Sequence, residues 1–151
     1  MPEQTGGEYV GCVAGKVRLA VPVENVQEVF ETATITRVPH APDTITGMIN
    51  MRGSVVPVLN ILGAPTVSKE SRRVIVLKSP WGLVGVLITQ LVELIRFETV
   101  ESVTSLPEPL QPFAEGISGA GVYDRETYYM IDAERVVAAT LPQETDQGSV
   151  E

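Results

Sequence analysis

The chain has 151 residues, 44% of them hydrophobic and 20% charged, which is enough for one folded domain with a core. Its formal net charge of −8 argues against binding to a nucleic-acid backbone, which requires clustered lysine and arginine. A single cysteine, Cys12, excludes an internal disulfide and a cysteine-rich metal site.

The two ends of the chain are polar, and we expect residues 1–7 and 142–151 to form flexible tails. We recognise no signal-peptide pattern, and every apolar run is shorter than the roughly 18 residues that a membrane span needs. We therefore expect a cytoplasmic protein without direct membrane insertion.

Most of the chain shows the alternating pattern of half-buried strands. Three pairs of such segments are joined by short turns and predict three hairpins: 9–13 with 17–23, 72–78 with 83–88, and 121–123 with 127–131. Helices are short: 25–30 places Val26, Val29 and Phe30 on one helical face, and Asp132 is a good N-cap for a helix over 132–139.

A shift of 65 residues overlays the first half of the sequence on the second. The overlaid pairs are Leu19/Val84, Val21/Val86, Val23/Ile88, Val26/Leu91, Glu28/Glu93, Val29/Leu94 and Phe30/Ile95. Further on, Gly47-Met48 is matched with Gly116-Ile117, and 56–60 with 128–132. The constant offset indicates an internal duplication.

Two copies with about five short strands each predict a mostly β fold of two small antiparallel barrels that pack together. We place the barrel subdomains at approximately 15–65 and 80–140, within one domain that spans 8–140. A sheet this small needs closure or a partner to protect its edges. The groove between the barrels is the expected binding surface, since domain interfaces are common ligand sites.

Catalytic residues are scarce. The single histidine, His40, lies between prolines in a loop and is more simply an exposed histidine than a general base, because no nucleophile motif accompanies it. The glycines of 116–121 suit a strand with a bulge or close packing better than a phosphate loop. Trp81, in a hairpin turn, is either a binding anchor or an ordinary half-exposed aromatic residue. We predict no catalytic constellation, no metal site and no cofactor.

The segment GMINMRGSVVPVLN (47–60) carries one charge, Arg52, among apolar residues. Its halves predict a hairpin with Gly53-Ser54 as a two-residue type II′ loop. Pro57 cannot donate a ladder hydrogen bond, which predicts an edge strand or a bulge. Arg52 is then either a solvated or locally ion-paired side chain, or a group that reaches out to a partner.

The longer stretch VPHAPDTITGMINMRGSVVPVLNI resembles the signature of the CheW-like family, in which a "VP-x-aP" loop leads to "G-v-i-N-l-R-G" and "v-i-P-V-i-D-l". The segments LAVPVENVQEVF, LVGVLITQLVELI and YYMIDAERVV are also similar to the family, so the resemblance covers about residues 8–140. Asn60 departs from the usual aspartate, Met51 from the commoner leucine, and the link over 61–72 is short.

The resemblance implies two interlocked five-stranded SH3-like barrels and a cytoplasmic, non-enzymatic coupling protein of bacterial chemosensory arrays. Its partners would be the cytoplasmic tip of a chemoreceptor and the regulatory domain of a CheA-type histidine kinase, with ring assembly among CheW-like domains as a further possibility. The motif places receptor contact at Asn50, Arg52 and Gly53. We expect the apolar barrel edge that meets the kinase to include Val23, Val26, Ile49, Met51 and Pro57.

Three functions therefore remain open at this point. The first is an adaptor that binds both partners, and the second is a regulator that binds one partner and blocks or reroutes array assembly. The third is a small hydrolase that uses His40.

Overall fold

The computed structural model describes residues 7–31, 34–37, 39–40, 44–61 and 73–140. The described residues form eleven strands, which are β1 (Tyr9–Ala14), β2 (Val17–Pro22), β3 (Val26–Phe30), β4 (Ile45–Met51), β5 (Ser54–Leu59), β6 (Arg73–Ser79), β7 (Gly82–Ile88), β8 (Gln90–Ile95), β9 (Val100–Glu101), β10 (Ile117–Tyr123) and β11 (Glu126–Ile131). They also form 3₁₀ segments at Val23–Asn25 and Glu108–Gly116 and one helix, α1 (Ala133–Thr140). The predicted tails (1–7 and 142–151) and the short link (61–72) lie outside the described residues, except for Gly7 and Ile61.

The three hairpins and the C-terminal helix predicted from the sequence are confirmed. β1 pairs with β2, β6 with β7, and β10 with β11, each antiparallel. At the start of α1, the Asp132 carboxylate accepts a hydrogen bond from the backbone N–H of Arg135 at 3.1 Å, as an N-cap does.

The predicted helix over 25–30 is wrong. Val26 to Phe30 form strand β3, which pairs with β6 so that Val26 lies opposite Leu77 and Phe30 opposite Val74. A six-residue segment is too short to be stable as an isolated helix, and its valines are stiff at χ1 and suit a strand. Pairing with β6 supplies the backbone hydrogen bonds that a helix would have made internally.

The strands form two sheets, and each sheet takes strands from both halves of the chain. The six-stranded sheet has the order β8-β1-β2-β11-β10-β9, and the five-stranded sheet has the order β3-β6-β7-β5-β4. The hairpins β1–β2 and β6–β7 are thus exchanged between the halves, which interlocks the two sheets. The mostly β fold is confirmed, with β9 as a sixth strand in one sheet and with no backbone pairing between the end strands of either described sheet.

Features of the strand register recur in the two halves of the chain. Asn60 donates its backbone N–H to Thr44, and Asp132 donates its N–H to Gly116, both at 2.8 Å. The β4–β5 ladder shifts register next to Gly47, and the β10–β11 ladder shifts next to Gly119. Gly47 therefore corresponds to Gly119, and its predicted match with Gly116 is wrong, because the 3₁₀ segment makes the second half seven residues longer at this point.

Three apolar cores hold the sheets. One lies between them and includes Cys12, Leu19, Ile75 and Val86. A second, aliphatic core lies inside the five-stranded sheet and includes Ile49, Met51, Val56, Val58, Val74, Val76 and Leu87. A third lies inside the six-stranded sheet and contains Tyr9, Ala20, Ile95, Phe97, Tyr128 and Met130. Each sheet therefore curls around its own core and packs its other face against its partner sheet.

The thiol of Cys12 should be unreactive in the folded protein. The side chain is fully buried, and burial raises the pKa of the thiol to about 12. Because the thiolate is the reactive form, we expect no reaction with a disulfide reagent at pH 8 and one thiol per chain after unfolding in guanidinium. Cys12→Ala serves as the control and should give no signal in either state; rapid labelling of the native protein would contradict the prediction.

Candidate functional site

The turn at the tip of the β4–β5 hairpin consists of Arg52 and Gly53. Met51 pairs with Ser54, and the backbone φ angles are 53° at Arg52 and 91° at Gly53, as in a type I′ turn. The predicted type II′ loop at Gly53-Ser54 is therefore wrong by one residue, because glycine occupies the second central position. The side-chain oxygen of Asn50 accepts the Gly53 N–H at 2.9 Å and fixes the turn.

The guanidinium of Arg52 forms a two-pronged ion pair with Glu28 of β3. The nitrogen–oxygen distances are 2.7 and 3.1 Å, and the Arg52 side chain is nevertheless 70% exposed. Hydrogen bonding to the Glu28 carboxylate raises the pKa of Arg52. β3 and β4 are the end strands of the five-stranded sheet, so this pair joins its two ends by side chains.

The six-stranded sheet has an equivalent link with different chemistry. The Tyr123 hydroxyl, at the end of β10, donates a hydrogen bond to the Glu93 carboxylate of edge strand β8 at 2.6 Å. Glu93 is the counterpart of Glu28 in the duplication, and Asp124 stands where the first half has Arg52, with the same φ of 53°. Hydrogen bonding to Glu93, together with burial, raises the pKa of Tyr123.

The two faces of the β4–β5 hairpin differ in what they contact. Ile49 and Met51 are on edge strand β4, but their side chains are buried in the aliphatic core. On the outer face, Asn50 lies opposite Val55, whose side chain is 63% exposed. The surface beside Arg52 is therefore formed by Asn50 and Val55 rather than by Ile49 and Met51.

Pro57 does not lie on an edge strand or at a bulge, and this prediction is wrong. β5 lies between β4 and β7. Met48, opposite Pro57, exchanges both of its backbone hydrogen bonds with Thr36 at 2.8 Å, so β4 requires no N–H from residue 57. Pairing with β7 begins one residue later, at Val58, which is how an interior strand accommodates proline.

The remaining residues expected at the barrel edge lie at the start of β3. Val23 is in the 3₁₀ turn before β3 and is 39% exposed, while its N–H donates to the Glu8 carbonyl at 3.0 Å. Val26 is half-buried against the core between the sheets. β3 pairs with β6 on one side only, so both valines lie at an edge of the sheet.

The other features singled out in the sequence are His40, the glycines of 116–121 and Trp81. His40 is exposed in a turn, and 117–123 form strand β10 with its bulge, as the glycines predicted. Within the residues that the structure describes, no group of three potential metal ligands converges, and no helix has the length and apolarity needed to cross a membrane. Trp81, in the β6–β7 turn, is largely exposed.

Sequence reasoning missed the carboxylates that bind Arg52 and Tyr123. The 65-residue overlay could have revealed these carboxylates, because it pairs Glu28 with Glu93 while the other overlaid pairs are apolar. An acidic residue kept in both copies of an apolar segment indicates a repeated polar contact.

The comparison with known proteins agrees with this architecture. A family model described as a CheW-like domain matches residues 8–140. The chain is 26% identical over 142 residues to the chemotaxis protein CheW of Klebsiella aerogenes, covering 91% of this chain and 85% of that protein. It is 29% identical over 108 residues to CheW of Helicobacter pylori, covering 68% of this chain and 64% of that protein.

A solved structure shares the fold. The crystal structure of the scaffolding protein TtCheW from Thermoanaerobacter tengcongensis matches with a TM-score of 0.70 at 22% identity, covering 90% of this chain and 92% of that one. At this identity the likeness establishes the fold, and the family model establishes the relationship. The chain belongs to the CheW-like domain family.

Proposed function

We propose that this protein is a non-enzymatic adaptor that couples a chemoreceptor to a CheA-type histidine kinase in a cytoplasmic chemosensory array. The observation that carries the proposal is the Arg52 turn. It presents a largely exposed guanidinium on a hairpin whose backbone is fixed by Asn50 and whose tip is held by Glu28. A preorganised, exposed arginine is a common energetic centre of protein interfaces.

The receptor surface would be the outer face of the β4–β5 hairpin. Arg52 supplies charge, Asn50 and Gly53 fix the turn, and the exposed Val55 supplies apolar area beside them. The apolar area of Val55 would exclude water around Arg52, and the charge of Arg52 would set the choice of partner.

The kinase surface would be an edge of a sheet. β3 has one unpaired side within the described structure, and Val23 and Val26 lie at its start. Contact with a regulatory domain of the same fold would then be edge to edge, and the same geometry could join CheW-like domains into rings. In this function the protein supplies position and catalyses no reaction.

Reconstitution of the ternary complex tests the proposal. Purified chain, kinase and receptor fragment from one organism are combined, and kinase autophosphorylation is followed with and without the chain. An adaptor should raise phosphorylation in the presence of receptor and should co-sediment with both proteins. A blocker that binds one partner should lower it, and a chain that binds neither protein would refute both functions. His40→Ala is expected to change none of these results.

A further inference from the structure

A short extended segment crosses the edge of one strand in each half of the chain. In the first half, residues 34–37 cross β4, and Thr36 exchanges two backbone hydrogen bonds with Met48, both at 2.8 Å. In the second half, β9 crosses β10, and Glu101 pairs with Ala120. We call these segments the first strap (34–37) and the second strap (β9). Thr36 and Glu101 are separated by the 65 residues of the sequence overlay, so the strap is a repeated feature.

The two straps are anchored in the same way. Ile35 packs against the core inside the five-stranded sheet, and Val100 packs against the core inside the six-stranded sheet. Each strap also lies over a glycine. A Cβ atom at Gly47 would lie 2.5 Å from the Thr36 carbonyl oxygen, and one at Gly119 would lie 3.0 Å from a carbonyl oxygen of the second strap. Glycine at both positions therefore lets the strap approach the strand closely.

The strands beneath the straps lack the usual chemical protection of a sheet edge. β4 has the sequence ITGMINM and β10 the sequence ISGAGVY, and neither contains a charged residue or a proline. The strands at the opposite ends of the two sheets, β3 and β8, contain Glu28 and Glu93. Charged residues and prolines hinder pairing with a foreign strand, and a segment that covers the edge has the same effect. Without cover, uncharged seven-residue strands tend to pair with copies of themselves.

We infer that the two straps are built-in blocks against self-association. Each strap occupies backbone groups of β4 or β10 that would otherwise pair with the same strand in a second copy of this chain. Pairing of identical edges is two-fold symmetric, because each copy contributes the same strand to the contact. One uncovered edge therefore gives a closed dimer, and two uncovered edges on one molecule give an open-ended assembly. The inference does not rest on the proposed function, because it requires neither receptor nor kinase.

Displacing the straps one at a time tests the inference. Gly47→Val places a branched side chain where the first strap lies, and it should double the mass that light scattering gives for the wild type at the same concentration. Gly119→Val should do the same for the second strap, and the double variant should form larger assemblies. Gly85→Val is the matched control. Gly85 lies in β7, between β6 and β5, and a Cβ atom there would lie 2.9 Å from Val74, so this variant disturbs packing without uncovering an edge and should keep the wild-type mass.

A milder variant keeps the test decisive if Gly47→Val does not fold. Ile35→Ser removes the apolar anchor of the first strap and leaves β4 unchanged, so it should dimerise in the same way at higher concentration. Adding Met48→Lys to either variant places like charges at the uncovered edge and should restore the wild-type mass. Wild-type mass of the folded strap variants would overturn the inference, and so would association of Gly85→Val to the same extent.

Amide hydrogen exchange locates the contact between the copies. The Met48 N–H donates a hydrogen bond to the Thr36 carbonyl when the first strap is in place. In dilute, monomeric Gly47→Val this amide should exchange about tenfold faster than in the wild type, because the strap no longer protects it. In the dimer it should be protected again. A dimer in which the Met48 amide still exchanges rapidly would be joined through another surface, and this result would overturn the inference.

Discussion

Replacing Phe97 with alanine should lower the free energy of unfolding by about 3–5 kcal/mol. Phe97 is 2% exposed, and its ring packs against those of Tyr9 and Tyr128 at centroid distances of 5.3 and 6.0 Å. Removing the ring leaves a cavity in the core inside the six-stranded sheet. For a chain of this length, the melting temperature should fall by roughly 6–20 °C. Calorimetry measures the loss, and Trp81→Ala, at an exposed aromatic residue, should change stability by less than about 0.5 kcal/mol.

A double substitution tests whether a side chain at Gly121 can fill the space of the Phe97 ring. A Cβ atom at Gly121 would lie 2.5 Å from the ring, so Gly121→Val alone should destabilise the protein by about 1–3 kcal/mol. At the corresponding position of the other sheet, Ile49 fills the core. In the Phe97→Ala background, Gly121→Val should therefore recover stability. Simple addition of the two losses would contradict this packing account.

Arg52→Ala should weaken binding of the receptor fragment at least tenfold, with little change in thermal stability because the side chain is largely exposed. Arg52→Lys should be intermediate, since an ammonium keeps the positive charge but lacks the planar array of donors that a guanidinium presents to a receptor group. Isothermal titration with the receptor fragment measures the effect. Arg135→Ala removes another exposed arginine, on α1, and should bind like the wild type.

Glu28→Ala separates a direct contact from a structural role of Arg52. This variant breaks the ion pair and leaves the guanidinium in place, so a direct contact predicts that most of the affinity is retained. If Arg52 served only to hold the hairpin against β3, Glu28→Ala would lose as much affinity as Arg52→Ala. The exchanged pair Glu28→Arg with Arg52→Glu would then restore binding, which would contradict a direct contact.

The sequence contained much of the fold because alternation and turn chemistry are local signals. The three hairpins and the Asp132 cap depend on residues close together in the chain, and they were predicted correctly. The pattern of β3 predicts a helix because its apolar spacing fits both periods over six residues, and only pairing with β6, more than forty residues away, decides between helix and strand. The position of Pro57 likewise depends on the parallel pairing of β5 with β7.

The candidate site was predictable in position but not in its contacts. The motif located Arg52 and Asn50, and the structure brings them together in one turn. The ion pair with Glu28 and the bond between Tyr123 and Glu93 connect elements that are 24 and 30 residues apart. Side-chain contacts of this kind follow from the curvature of the sheets, which a linear pattern does not specify. Whether these residues bind a partner stays a prediction.

The exchange of hairpins has a consequence for how the protein can be made and divided. During synthesis the five-stranded sheet cannot be completed until β7 has left the ribosome. The six-stranded sheet, which contains β1 and β2, cannot be completed until β11, ending at Ile131, has left it. A chain cut near residue 65 gives two fragments that each lack the central hairpin of their own sheet. We therefore expect neither fragment to fold alone, and the two together to reassemble, so that the duplicated halves form one cooperative unit rather than two separable modules.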